Sequence, residues 1–268
     1  MKKLIAYNND PTLKNSLLKE VEKHRKADRI VQGSYGDSSA ALREFRGCAV
    51  GCSIYSLNKL RGLKVYCGDH TAYETYFGIP VELAVLEDRI FERLSVDDAK
   101  LWPGQFLGAI QPGADLSLVF PQLYYWIWTD EKLSIMRHIK DEELLAACKE
   151  GIALFARWSA GDKPSETEFR EASEKLRALA RALDLARARA LDLARARALD
   201  LARALALDLA RALALDLARA RALDLDLDLD LARDLDRALD IDREKFYAAV
   251  AAKMVELLAA APIAEVVE

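Results

Sequence analysis

The stretch RGCAVGCSIYSLNKLRGLKVYCGDHTAYETYFGIP, residues 46–80, holds the densest set of reactive side chains in the chain: Cys48, Cys52, Cys67, Asp69 and His70. A cysteine and a histidine that meet can do nucleophilic chemistry, because imidazole accepts the thiol proton and the thiolate attacks. On that reading Cys48 or Cys52 is the nucleophile and His70 the base. Asp69 or another carboxylate would orient the imidazole, and Gln32, in the preceding loop VQGSYG, would donate to an oxyanion. The same residues pose a second chemistry. Cys48-x3-Cys52 and Cys67-x2-His70 offer zinc a tetrahedral set of thiolates and one imidazole. Cys-x3-Cys is a less typical zinc spacing than Cys-x2-Cys.

A third reading gives these residues a structural role. Free cysteine is among the most buried residue types, and GCAVGC supplies small residues that let two helices approach. Asp69 then caps the helix HTAYETYF, and His70 is a satisfied polar residue. The residue types favour this third reading. Cys148 falls on the apolar side of EELLAACKEG and reads as core, while His24 and His138 sit in charged helical contexts. Glu87, Asp88 and Glu92 share one helix and read as a solvated face. The chain has no Walker loop, GxGxxG, HExxH or GxSxG motif.

The elements that must position these residues read as mostly helical. Asp10 has the form of an N-cap with Pro11 at the first helical position, ahead of LLKEVEKHRKA. MKKLIAY before it has the form of a short strand. Pro80 opens VELAVLEDRIFERL, with an apolar stripe of Val81, Leu83, Ala84, Leu86, Ile90, Phe91 and Leu94. VDDAKLWPGQFLGAI and ADLSLVFPQLYYWIW are shorter helical or mixed segments with Pro103 and Pro121 as breakers, and KDEELLAACKEGIALFARW follows as a helix. LVFPQLYYWIW fits either a helix or a buried strand, since aromatic residues suit both. GDKPSETE, residues 161–168, punctuates the chain, and Ser165 with Glu168 makes a capping box.

Beyond it the composition changes. From Arg177 to Arg243 odd positions hold only Leu, Arg or one Ile, and even positions only Ala or Asp. A six-base DNA repeat that expands and drifts produces this pattern. Period two is a strand signal, but Ala, Leu and Arg are strong helix formers, and Ala and Asp are depleted in strands. Asp184, Asp192, Asp200, Asp208 and Asp216 each have an arginine three residues later. On a helix such pairs touch and add roughly 0.2–0.5 kcal/mol each. Helix is therefore predicted over 165–260. If unbroken it would be about 140 Å long at 1.5 Å per residue; otherwise it folds into a hairpin. An eight-residue period carries leucine around the cylinder, so the helix needs neighbours on several sides. The ending, REKFYAAVAAKMVELLAAA, is amphipathic and should dock on a core.

The head resembles a family of uncharacterised bacterial and phage proteins. AYNNDPTLK, ADRIVQGSYG, GCAVGCSI, GDHTAYETYFGIP, LEDRIFERL, LWPGQFLGAI and GADLSLV carry the likeness. It implies relatives that end in a low-complexity Ala-rich helix, whose repeat differs between members, and a short terminal helix. Cys48, Cys52, Asp69 and His70 fall in the shared motifs. The resemblance implies no activity.

The expected architecture is mainly α. A helical head with the Cys/His cluster spans 1–164, and a repeat helix or hairpin with a terminal docking helix spans 165–268. Net charge is −4, from 39 basic and 43 acidic residues, which offers nucleic acid no footprint. Asn8, Asn9, Asp10 and Pro11 interrupt any signal-peptide core, and no apolar run is long enough to span a membrane. Four cysteines in this length do not read as a disulfide scaffold, so a reducing cytoplasm is expected. The leading function is a non-enzymatic interaction or scaffolding protein that forms homo-oligomers through its repeat helices. The alternative is a cysteine-dependent hydrolase or transferase.

Overall fold

The computed structural model describes residues 4–36, 45–134, 136, 139, 141–187 and 243–264. It is mainly helical, and the described residues contain no sheet, only two isolated β-bridges. Repeat residues 188–242 and His138 lie outside the described set, so the choice between one long helix and a hairpin does too.

The chain divides into two compact units. The first is Met1–Leu123 with Glu244–Glu268, and the second is Tyr124–Arg243. In the first, α1 (Pro11–Lys26) starts where the sequence places it: Asp10 accepts from the amides of Thr12 and Leu13 at 2.8 and 3.2 Å. The described part of MKKLIAY, residues 4–7, does not become a strand. Ala6–Asn9 form a tight 3-10 turn in which Tyr7 and Asn8 have positive φ, and the buried Tyr7 hydroxyl donates to the Leu107 carbonyl at 2.6 Å. Asparagine tolerates that conformation; tyrosine adopts it only under tertiary constraint.

Helix α2 is Ala49–Arg61, α3 is Val81–Phe91 and α4 is Val96–Ala109, which runs through Pro103, so that proline does not act as the expected breaker. α1 packs on α2 and α4, and α3 packs on both of those. Between α2 and α3 lies a five-residue π-helical segment, Tyr73–Phe77, ended by Gly78 in the left-handed conformation. Trp102, Phe106, Phe91, Phe77 and Tyr73 are fully buried in the core. The terminal helix α8 (Arg243–Ala260) belongs to this unit from Glu244 onward, burying Phe246, Val250, Met254 and Leu258. After it, Ile263 bridges antiparallel to Ala114.

LVFPQLYYWIW resolves to helix: α5 is Val119–Thr129. In the second unit α6 (Glu142–Ser159) and α7 (Glu166–Arg187) pack on each other. Tyr124 stacks on Phe155 at 5.3 Å, and Phe155 and Trp158 meet Phe169 at 5.5 and 5.8 Å. GDKPSETE is therefore the connection between two helices of one unit. Its capping box forms as written: Ser165 Oγ accepts from the Glu168 amide at 3.3 Å, and Glu168 Oε2 accepts from the Ser165 amide at 2.8 Å. The opening of the repeat, 177–187, continues α7 as helix.

Candidate functional site

Four segments meet in the first unit: the loop 32–35, the start of α2, the turn 69–77 and the middle of α3. Cys48 is the N-cap of α2, and its Sγ accepts from the Gly51 amide at 3.3 Å. Its own amide donates to the Ser34 carbonyl at 2.6 Å. The close packing of GCAVGC is helix against loop, since a Cβ on Gly51 would stand 2.0 Å from the Tyr35 carbonyl oxygen. Cys52, one turn on, donates to the Gly47 carbonyl at 3.3 Å.

Both thiols are buried, at 1% and 0% exposure. Burial pushes the Cys48 thiol far up, and the facing Asp88 carboxyl adds to the shift. Burial takes Cys52 to about 12. A reactive thiolate needs the opposite environment. Cys148 is a third buried thiol, also pushed to about 12 by burial, and Cys67 is half-buried.

Asp88 sits at the centre of the junction. His70 Nε2 lies 3.5 Å from its Oδ2, and the Cys48 thiol and Tyr35 hydroxyl both face the same carboxyl. His70 and Tyr35 meet edge to face at 5.7 Å on the solvent side. The order is thus Cys48, Asp88, His70. A Cys–His–Asp relay would put the imidazole in the middle. Asp69 turns the other way and caps its own loop, accepting from the Thr71 amide and hydroxyl at 3.0 and 2.6 Å. Gln32 donates to the carbonyls of Phe91 and Leu94 at 2.7 and 3.0 Å, closing the end of α3. Both its amide hydrogens are engaged there. Among the described residues no group of three or more His, Cys, Asp or Glu side chains is arranged to hold a metal ion. Cys48, Cys52, Cys67 and His70 do not form one four-ligand set.

Beneath Asp88 lies Glu87, which is fully buried. Its carboxyl faces the hydroxyl of the fully buried Tyr73, but neither carboxyl oxygen nor that hydroxyl closes a hydrogen bond of good geometry among the described residues. Burial raises Glu87 well above the carboxylate range, and Asp88 adds to the shift. The solvated-face reading of α3 fails here. Glu87 is buried at 0% exposure and Asp88 at 8%, while Glu92 accepts from the Gly33 amide at 2.8 and 3.0 Å. The sequence carries a signal for Glu87. It stands three residues after Ala84, four after Leu83, three before Ile90 and four before Phe91, inside the apolar stripe. His24 is likewise buried, edge-on to the stacked rings of Phe45 and Tyr55 at 6.0 and 5.6 Å, and burial lowers its pKa.

No family model, no curated protein and no solved structure matches this chain. Among the described residues no helix is long and apolar enough to cross a membrane.

The thiol geometry gives a direct expectation. Iodoacetamide should label native protein at Cys67 alone, and should reach Cys48, Cys52 and Cys148 only after denaturation. Peptide mapping by mass spectrometry checks this. Fast labelling of Cys48 in the native protein, slowed by His70→Ala, would overturn it in favour of thiol catalysis.

Proposed function

We propose that the protein is a non-enzymatic interaction or scaffolding protein that self-associates through its repeat helices. One observation carries the reading: the chain leaves the first compact unit after Leu123 and rejoins it at Glu244. The repeat therefore falls within an inserted segment, Tyr124–Arg243, whose length can change by whole repeats while the core around Trp102 stays the same. The resemblance to proteins whose repeats differ between members supports this reading. Leucine on every side of a helix calls for neighbours, and a second copy of the chain offers the same surface. The buried, hydrogen-bonded thiols of Cys48 and Cys52 serve as a helix cap and a clamp in the unit that carries this arm. Four unpaired cysteines suit the cytoplasm, and the acidic balance suits a protein partner.

Light scattering on the whole chain across a concentration series should give a mass above the monomer. Leu201→Asp combined with Leu209→Asp should lower it, because two charges then fall in the repeat's apolar surface. A monomer at every concentration defeats the proposal. A second reading, a cysteine-dependent hydrolase or transferase, is favoured by one feature: Cys48 opens a helix beside Asp88 and near His70. The labelling experiment above separates the two.

A further inference from the structure

The junction under Asp88 has polar groups that neither helix capping nor core packing uses. Glu87 Oε1 and Oε2, the Tyr73 hydroxyl and Asp88 Oδ1 are all buried, and none closes a hydrogen bond of good geometry, although the Tyr73 hydroxyl stands within interaction range of Glu87 and Ser53. They lie together. Tyr73 faces Glu87, Ser53 and Cys48, and Glu87 is next to Asp88, which reaches His70 at 3.5 Å. The large majority of buried polar groups in native proteins are hydrogen-bonded, so a cluster that is not needs a physical explanation.

The chemistry of the surroundings supplies one. The 3-10 turn brings Tyr7 towards Glu87, α2 brings Cys48 and Cys52, the π segment brings Tyr73, and α3 brings Asp88. From α4 the Trp102 indole donates to the Glu87 carbonyl at 2.9 Å. The side chains these elements bring to Glu87 and its neighbours are tyrosines, thiols and a carboxyl, and the groups acting on Glu87 itself are Tyr73 and Asp88. An ionised Glu87 would stand in the core without a counter-charge, beside a second carboxyl. Such a charge is too costly to leave unpaired, and the group neutralises instead. A proton removes the charge and turns the carboxyl into a donor aimed at the Tyr73 hydroxyl. Asp88 and His70 lead from Glu87 towards solvent, since His70 is only half-buried.

We propose that Glu87 and Tyr73 form a buried proton-binding site, reached from solvent through His70 and Asp88, and that its occupancy sets how firmly the four-segment junction closes. Proton loss places a charge between α2, α3 and the π segment, the elements that hold Cys48 and the 32–35 loop in place. The junction then loosens as pH rises.

The sign follows from linkage. The native state keeps a proton that the unfolded chain releases above about pH 4.3, the ordinary glutamate value. Stability from this group is complete below that pH and is lost as pH rises towards the native value. Glu87→Gln carries the same shape without the charge. The ratio of folding constants, Glu87→Gln over wild type, should rise about tenfold per pH unit above about pH 4.3, until the native pKa is passed. Urea unfolding of the whole chain from pH 5 to pH 8 reads this ratio directly. A ratio that does not change with pH overturns the proposal. Should the variant fail to fold, infrared spectroscopy of wild type decides. A protonated-carboxyl carbonyl band that persists at pH 7 and shifts in D2O upholds the site, and its absence overturns it.

Discussion

Trp102→Ala should destabilise the first unit by about 3–5 kcal/mol, the range for deleting a large buried aromatic side chain. Domains of ordinary stability have about 5–15 kcal/mol in total, so this single change removes a large part of it. Three features put the loss at the upper end. The indole is fully buried; it packs against Phe106 at 5.8 Å; and its Nε1–H donates to the Glu87 carbonyl at 2.9 Å. That hydrogen bond ties α4 to the α3 backbone at Glu87, and truncation leaves its carbonyl without this donor. Trp102→Phe keeps most of the volume and loses the donor, so its effect should be smaller. Chemical denaturation followed by circular dichroism measures both. Equal midpoints for Trp102→Ala and wild type would contradict the packing described.

The helical class was legible because its signals are local. Asp10 before Pro11, and Ser165 before Glu168, satisfy amide groups two or three residues away, and both caps form as the sequence implies. The strand expected at MKKLIAY failed for the opposite reason. The 3-10 turn of Ala6–Asn9 is held from a distance, by Ala6 donating to the Ala114 carbonyl at 2.9 Å and by Tyr7 reaching Leu107. LVFPQLYYWIW was ambiguous because aromatic residues fit strand or helix; stacking of Tyr124 on Phe155, a partner far along the chain, goes with helix. The candidate site was legible as a list of residues but not as an arrangement. Cys48, His70 and the 32–35 loop do converge, yet the residue joining them, Asp88, was assigned to solvent with Glu87. A helix's apolar stripe says which positions face inward. It does not say that a carboxyl on that face will be kept, and an inward acid is read as outward by default. Gln32 shows the same limit: nothing near it in sequence reveals that Phe91 and Leu94 will claim its amide.

Gly51→Ala should unfold or severely loosen the junction, although alanine is the better helix former by about 1 kcal/mol. The added Cβ would lie 2.0 Å from the Tyr35 carbonyl oxygen and 2.9 Å from its carbonyl carbon. The obstacle is backbone, which cannot swing aside as a flexible side chain could. Relief requires either α2 or the 34–36 loop to move. Moving the loop breaks the 2.6 Å bond from the Cys48 amide to Ser34 and pulls Tyr35 away from Asp88 and His70. The penalty should exceed the propensity gain severalfold, at about 1–3 kcal/mol or more for an overpacked site. Gly104→Ala is the matched control. Gly104 lies inside α4 with nothing within 4 Å of its Cβ position, so there the propensity gain stands alone and should stabilise by about 0.5–1 kcal/mol. Thermal melts of the two variants should shift in opposite directions. If Gly51→Ala melts at or above the wild-type temperature, the loop does not sit against α2 as described, and the junction that brings Cys48, Asp88 and His70 together fails with it.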